Sequence, residues 1–173
     1  MEVRTFTSRL QQWDWETEIL QNRLNQWIYF ADVSGAFPVF NVIDGNVPDV
    51  HVEYVCGRPT FTINIGMLKM VADIRMICAC VGHEVGHVVN DHLHNTFDLE
   101  EMRDQEYEAD AYAVQFLHEC GYSGHFIADF LYLLLQINGD FDDSCMDHPS
   151  YFNRISYLSE VDISTRNRYE IAD

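Results

Sequence analysis

Over residues 7–31 apolar side chains recur at close to a helical period, at Leu10, Trp13, Ile19, Leu20, Leu24, Trp27 and Ile28 among polar and charged neighbours. The pattern predicts one amphipathic helix. Gly35 and Pro38 break it, and residues 39–43 and 50–56 read as short strands flanking the turn Asp44-Gly45-Asn46. After a turn at residues 56–59, Thr60-Phe61-Thr62-Ile63-Asn64-Ile65 alternates and is rich in β-branched side chains, as a third strand should be. The three are expected to form a small antiparallel sheet with the last strand at an edge. There Thr62, Ile63 and Asn64 can meet an extended peptide by main-chain pairing.

The remainder is helical in pattern. Residues 67–94 contain no proline and repeat apolar positions on helical spacing, although Gly82 and Gly86 each cost about 1 kcal/mol in an ordinary helix. That cost implies a packing or functional reason. A helix over 98–119 stops at Cys120-Gly121, and a strongly apolar one over 123–137, with Phe126, Ile127, Phe130, Leu131, Leu133, Leu134 and Leu135, should be largely buried. Pro149 suits the first turn of a last short helix through about residue 159. The expected fold is α+β and mainly helical, a single domain over residues 1–173 with residues 1–35 as an amino-terminal helical segment.

Composition narrows the function. A chain of 173 residues with 47% hydrophobic positions can bury a sizeable core. Its formal charge of −18 repels phosphate backbones and anionic lipids, so no nucleic-acid partner is expected, although the same field attracts cationic peptides. The most apolar stretch, residues 67–89, is interrupted by Lys69, Asp73, Arg75, His83, Glu84 and His87, so no transmembrane span is expected. The first residues lack a secretory signal pattern. Five cysteines without a Cys-x-x-Cys pair suggest reduced thiols in a cytoplasmic protein, Cys78 and Cys80 at separate core positions and Cys56 as a buried thiol. A zinc-binding, latency-conferring Cys56 is the alternative.

The chemistry concentrates in His83-Glu84-Val85-Gly86-His87. On a helix, side chains at i and i+4 share a face, so His83 and His87 can offer two imidazoles to one cation, and zinc suits such donors. Glu84 projects beside that face, where a carboxylate can take a proton from bound water instead of ligating. A catalytic zinc needs a third protein ligand. Glu106, in Glu106-Tyr107-Glu108-Ala109-Asp110, is the candidate, on a helix able to fold back over the first. Asp110, one turn further along the same face, can accept a hydrogen bond from the far nitrogen of a ligand histidine. His92 and His94 are expected near a helix end, a second metal there being the lesser reading.

These motifs, with His92, His148-Pro149 and Arg154 in the same order, resemble the CAAX-prenyl-protease and heat-shock membrane-protease family of gluzincins, over residues 50–158. The resemblance implies a zincin-like fold with one zinc on His83, His87 and Glu106, and Glu84 as general base. It also implies Asp110 behind the ligands, His148 helping the oxyanion, Arg154 organising the site and a substrate-holding strand at residues 60–65. Only 18 residues separate His87 from Glu106 and no span is present, so the chain looks like a compact, soluble minigluzincin whose amino-terminal segment covers the cleft. The expected activity is zinc-dependent endopeptidase hydrolysis of peptide or protein substrates. The alternatives are a regulatory protease resembling the ImmA/IrrE group and a catalytically silent zinc-containing binding module.

Overall fold

A computed structural model describes residues 39–71, 73–93, 98–140 and 148–170. The helix expected over residues 7–31 lies outside the described residues, as do His94 and Cys145. The chain falls into two compact units whose boundary lies between Ile74 and Arg75.

In the first unit, β1 (Val39–Ile43), β2 (Val50–Val55) and β3 (Arg58–Asn64) form a sheet of order β1-β3-β2. The β2-β3 hairpin turns on Cys56 and Gly57, with φ of 51° and 75°, the two left-handed positions that a two-residue hairpin loop demands. Cys56 is therefore exposed at a turn tip and not buried as expected. β3 runs antiparallel to β2 but parallel to β1, so the sheet is mixed and not antiparallel. β3 is also its centre and not an edge, because the chain leaving β1 crosses the end of β3 before β2 begins. Asn64 holds that crossing: its side-chain oxygen accepts from the Asp49 N–H at 3.2 Å and its amide donates to the Val47 carbonyl at 2.5 Å. The same oxygen accepts from the Met67 N–H at 2.8 Å and so caps α1 (Ile65–Met70).

Thr62 and Ile63 are paired to both neighbouring strands, and Asn64 to β1 as well as to the loop. The expectation that these residues receive an extended peptide by main-chain pairing is corrected by this topology, since an added strand would have to displace β1 or β2.

The helix expected over residues 67–94 is two helices. Val71, with φ −100° and ψ 94°, is extended and ends α1, and α2 (Ile74–Val89) begins afresh. In the second unit α3 (Leu99–Glu119) is capped by Asp98, which accepts from the Glu100 and Glu101 N–H groups. It ends at Gly121, φ 79°, with the Tyr122 N–H returning to the Leu117 carbonyl at 2.8 Å. α4 (His125–Asn138) buries Phe126, Ile127, Phe130 and Leu131, one stripe of its surface, while Leu133, Leu134 and Leu135 are half-buried and Tyr132 and Ile137 exposed. It is less buried than its composition suggests.

α5 (Tyr151–Glu170) packs on α3 and α4 and runs a further three turns beyond the expected end. The polar sequence after Leu158 hides the helical period, but no glycine or proline stops it. Ser150, not Pro149, opens the helix, its hydroxyl accepting from the Asn153 N–H at 3.2 Å. Five helices and a three-stranded sheet among the described residues make an α+β fold. No helix among them is long and apolar enough to cross a membrane.

Candidate metal centre

His83, Glu84 and His87 lie in the second half of α2, and Glu106 and Asp110 are one turn apart on α3. Their meeting depends on the two glycines that looked costly in the sequence. A Cβ on Gly86 would stand 2.9 Å from the Ala109 Cα and 3.0 Å from its carbonyl oxygen, and one on Gly82 would stand 2.8 Å from the Phe116 ring. Gly82 and Gly86 are i and i+4 on one face, so α2 presents a bare backbone stripe against which α3 seats. Ala109, fully buried, is the small residue on the other side of that contact.

This approach brings Glu106 to the histidines. His83 Nε2 lies 3.4 Å from Glu106 Oε2, His87 Nε2 lies 3.3 Å from Glu106 Oε1, and the two Nε2 atoms are 3.1 Å apart. Ligands at about 2.0–2.1 Å from a tetrahedral zinc stand about 3.3 Å from one another. Each contact is near that spacing, the two to Glu106 being made by different carboxylate oxygens, and the three residues form a group that could hold a metal ion among the described residues.

Each far side is also occupied. His83 Nδ1 donates to Asp110 Oδ1 at 2.9 Å, which leaves Nε2 unprotonated toward Glu106 and His87 in the neutral ring. Asp110, fully buried, is gripped by Arg154, whose Nε and Nη2 donate to its two oxygens at 2.8 and 2.7 Å. Arg154 Nη1 also reaches Glu106 Oε2 at 3.1 Å, so one guanidinium from α5 ties both carboxylates of α3. His148, just before α5 and half-exposed, places Nδ1 3.2 Å from Glu106 Oε1. Glu84 is buried beside the cluster's histidines on α2.

The electrostatics favour a cation. Burial alone would raise the Glu106 carboxyl, but the charge of His83 and hydrogen bonds from His148, His83 and His87 hold it well below the usual carboxylate range. Burial would likewise raise Asp110, and Arg154 outweighs it. His83, lowered by burial but raised more by Glu106 and Asp110, is pushed up to about 10, so without a metal it holds a proton in the place a cation would take. Burial draws His87 below the ordinary imidazole value, which keeps it neutral.

Sequence reasoning did not foresee one part of the cluster. His92 Nδ1 stands 3.2 Å from His87 Nδ1, and His92 Nε2 is 3.0 Å from Glu108 Oε2. The i+5 spacing from His87 shares no helical face with it, and only the chain reversal after α2 brings the rings together. Thr62, Ile63 and Asn64 belong to the sheet of the first unit, and Cys56 to its hairpin.

The fold and cluster define an α+β protein with a partly buried His-His-Glu group on α2 and α3 that could hold a metal ion. Residues 75–169, more than half of the chain and all of this cluster, match the family described as Peptidase U49, and the chain belongs to that family. It is thus a member of a peptidase family, with peptides or proteins as the substrate class that the family name implies. No curated protein sequence matches the chain.

Proposed function

We propose that the protein is a zinc-dependent metalloendopeptidase of the gluzincin type, holding one Zn²⁺ on His83, His87 and Glu106. The observation that carries the reading is the convergence of the His83 and His87 Nε2 atoms and the Glu106 carboxylate, with contacts of 3.1–3.4 Å, in a chain of a peptidase family. When bound, zinc supplies a Lewis acid that acidifies water and polarises the scissile carbonyl.

The chain's residues do the rest. Glu84 takes the proton from the attacking water and returns it to the leaving amine nitrogen, which departs as the carbon–nitrogen bond breaks. His148 donates to the oxygen on which negative charge develops. Asp110 keeps His83 in the tautomer that turns Nε2 to the metal, and Arg154 keeps Asp110 and Glu106 ionised and fixed. The likeness of this motif order to the CAAX-prenyl-protease and heat-shock membrane-protease family supports the same roles. Cys56, Cys78, Cys80 and Cys120 are free thiols, which supports a reducing cytoplasm as the site of action.

The test is zinc content and peptide-library digestion by wild type and Glu84→Gln. One zinc per chain in both, with cleavage reduced by about 10²–10⁴ in the variant, is the expected result. A fully active Glu84→Gln protein would remove Glu84 from the mechanism. Zinc-loaded wild type that cleaves nothing would leave a binding module.

A further inference from the structure

α2 ends in an uncommon way. The Asp91 N–H returns to the Val88 carbonyl at 3.2 Å and the His92 N–H to the His87 carbonyl at 2.9 Å, the paired bonds of a Schellman stop. Asp91 takes the left-handed position with φ 61°, where glycine is usual. In this stop the residue after the left-handed one packs against the residue five positions back, commonly as an apolar contact. Here those two residues are His92 and His87. Their rings meet edge to face with centroids 5.3 Å apart, and the His92 side chain is 5% exposed.

We infer that His92 and Glu108 are positioning residues that fix the tautomer and orientation of His87, a conclusion that rests on the reading of His83, His87 and Glu106 as zinc ligands. The proton order follows from the terminal group. A carboxylate oxygen accepts, so Glu108 Oε2 takes the N–H of His92 Nε2 at 3.0 Å. In that tautomer His92 Nδ1 carries no proton and accepts the N–H of His87 Nδ1 at 3.2 Å. His87 in turn is unprotonated at Nε2, the atom that faces Glu106 and His83.

The two ligand histidines are thus oriented by different means. His83 has a carboxylate directly behind it, whereas His87 has an imidazole and then a carboxylate. Both carboxylates stand on α3 together with Glu106, so one helix sets the third ligand and both tautomers. The helix stop of α2 is part of the metal site.

The experiment measures zinc affinity by chelator competition in wild type, His83→Ala, His92→Leu, His92→Asn and Glu108→Ala, with thermal melts of the metal-free proteins. Long-range ¹H–¹⁵N spectra of zinc-loaded wild type report the His92 tautomer. His92→Leu is expected to weaken zinc binding about 10- to 100-fold, and Glu108→Ala about 3- to 10-fold. His92→Asn, whose amide oxygen can replace Nδ1 as acceptor, should recover most of the loss. His92 should carry its proton on Nε2.

Wild-type affinity in both His92→Leu and Glu108→Ala, or a proton on His92 Nδ1, would overturn the relay while leaving the zinc site intact. If wild type does not bind zinc, or His83→Ala binds it equally well, the zinc reading itself falls and the relay with it. Should His92→Leu fail to fold, Glu108→Ala decides, because that side chain is 64% exposed and removing it opens no cavity.

Discussion

His83 lies between two carboxylates, and their charge overcomes the burial that would otherwise lower its pKa, taking it to about 10 from the ordinary 6.5. In the metal-free protein the folded state therefore keeps a proton that the unfolded chain has given up. This group's contribution to stability is complete below about pH 6.5 and is lost as the pH rises through about 10. Glu106 and Asp110 act in the other direction: both are depressed, so their contribution is present above the ordinary carboxylate values and lost as pH falls. Metal-free protein should melt highest near about pH 5–6.5 and progressively lower toward pH 10. In the proposed site zinc would take the place of the His83 proton, so its binding near pH 8 should release about one proton. Calorimetry in buffers of different ionisation enthalpy measures that number, and a value of zero would show that His83 is already neutral in the free site.

The contact of α2 with α3 depends on two glycines whose absent side chains admit a neighbouring helix. Alanine at either place gains about 1 kcal/mol of intrinsic helix propensity. At Gly86 the added carbon would meet the Ala109 main chain at 2.9–3.0 Å, and main chain within a helix cannot turn aside. Overpacking of this kind costs about 1–3 kcal/mol, so Gly86→Ala is expected to lower stability in urea by up to roughly 2 kcal/mol net and to weaken the proposed zinc binding as Glu106 is pushed away. At Gly82 the nearest atom belongs to the Phe116 ring, which can shift, and the loss should be smaller. A Gly86→Ala protein more stable than wild type would mean that the two helices can separate without cost.

The whole molecule carries a charge of −18. Such a field raises the encounter rate of cationic substrates and lowers that of anionic ones. For the proposed peptidase, a lysine- or arginine-flanked peptide should have a kcat/KM about tenfold above that of an aspartate- or glutamate-flanked peptide with the same scissile pair at low salt. The ratio should shrink as salt shortens the Debye length to about 10 Å at 0.1 M and less beyond. A ratio that ignores ionic strength would locate the preference in local pockets and not in the field.

Much of the candidate site was legible in the chain because it depends on local periodicity. Any helix through residues 83–87 puts His83 and His87 on one face, and any helix through 106–110 does the same for Glu106 and Asp110. The turn at Cys56-Gly57, the stop at Gly121 and the α+β character were legible for the same reason, since each depends on residues close in sequence. Long-range pairing was not legible. Whether β3 was central or an edge depended on which side β1 joined it, a choice not encoded in the alternation of residues 60–65. The extent of α5 was hidden because its last turns carry no apolar stripe. The approach of Glu106 to His83 and His87 and the grip of Arg154 on Asp110 required separate elements to meet, and the edge-to-face contact of His92 with His87 required the chain reversal after α2. Periodicity determines which side chains share a face, but packing decides which faces touch.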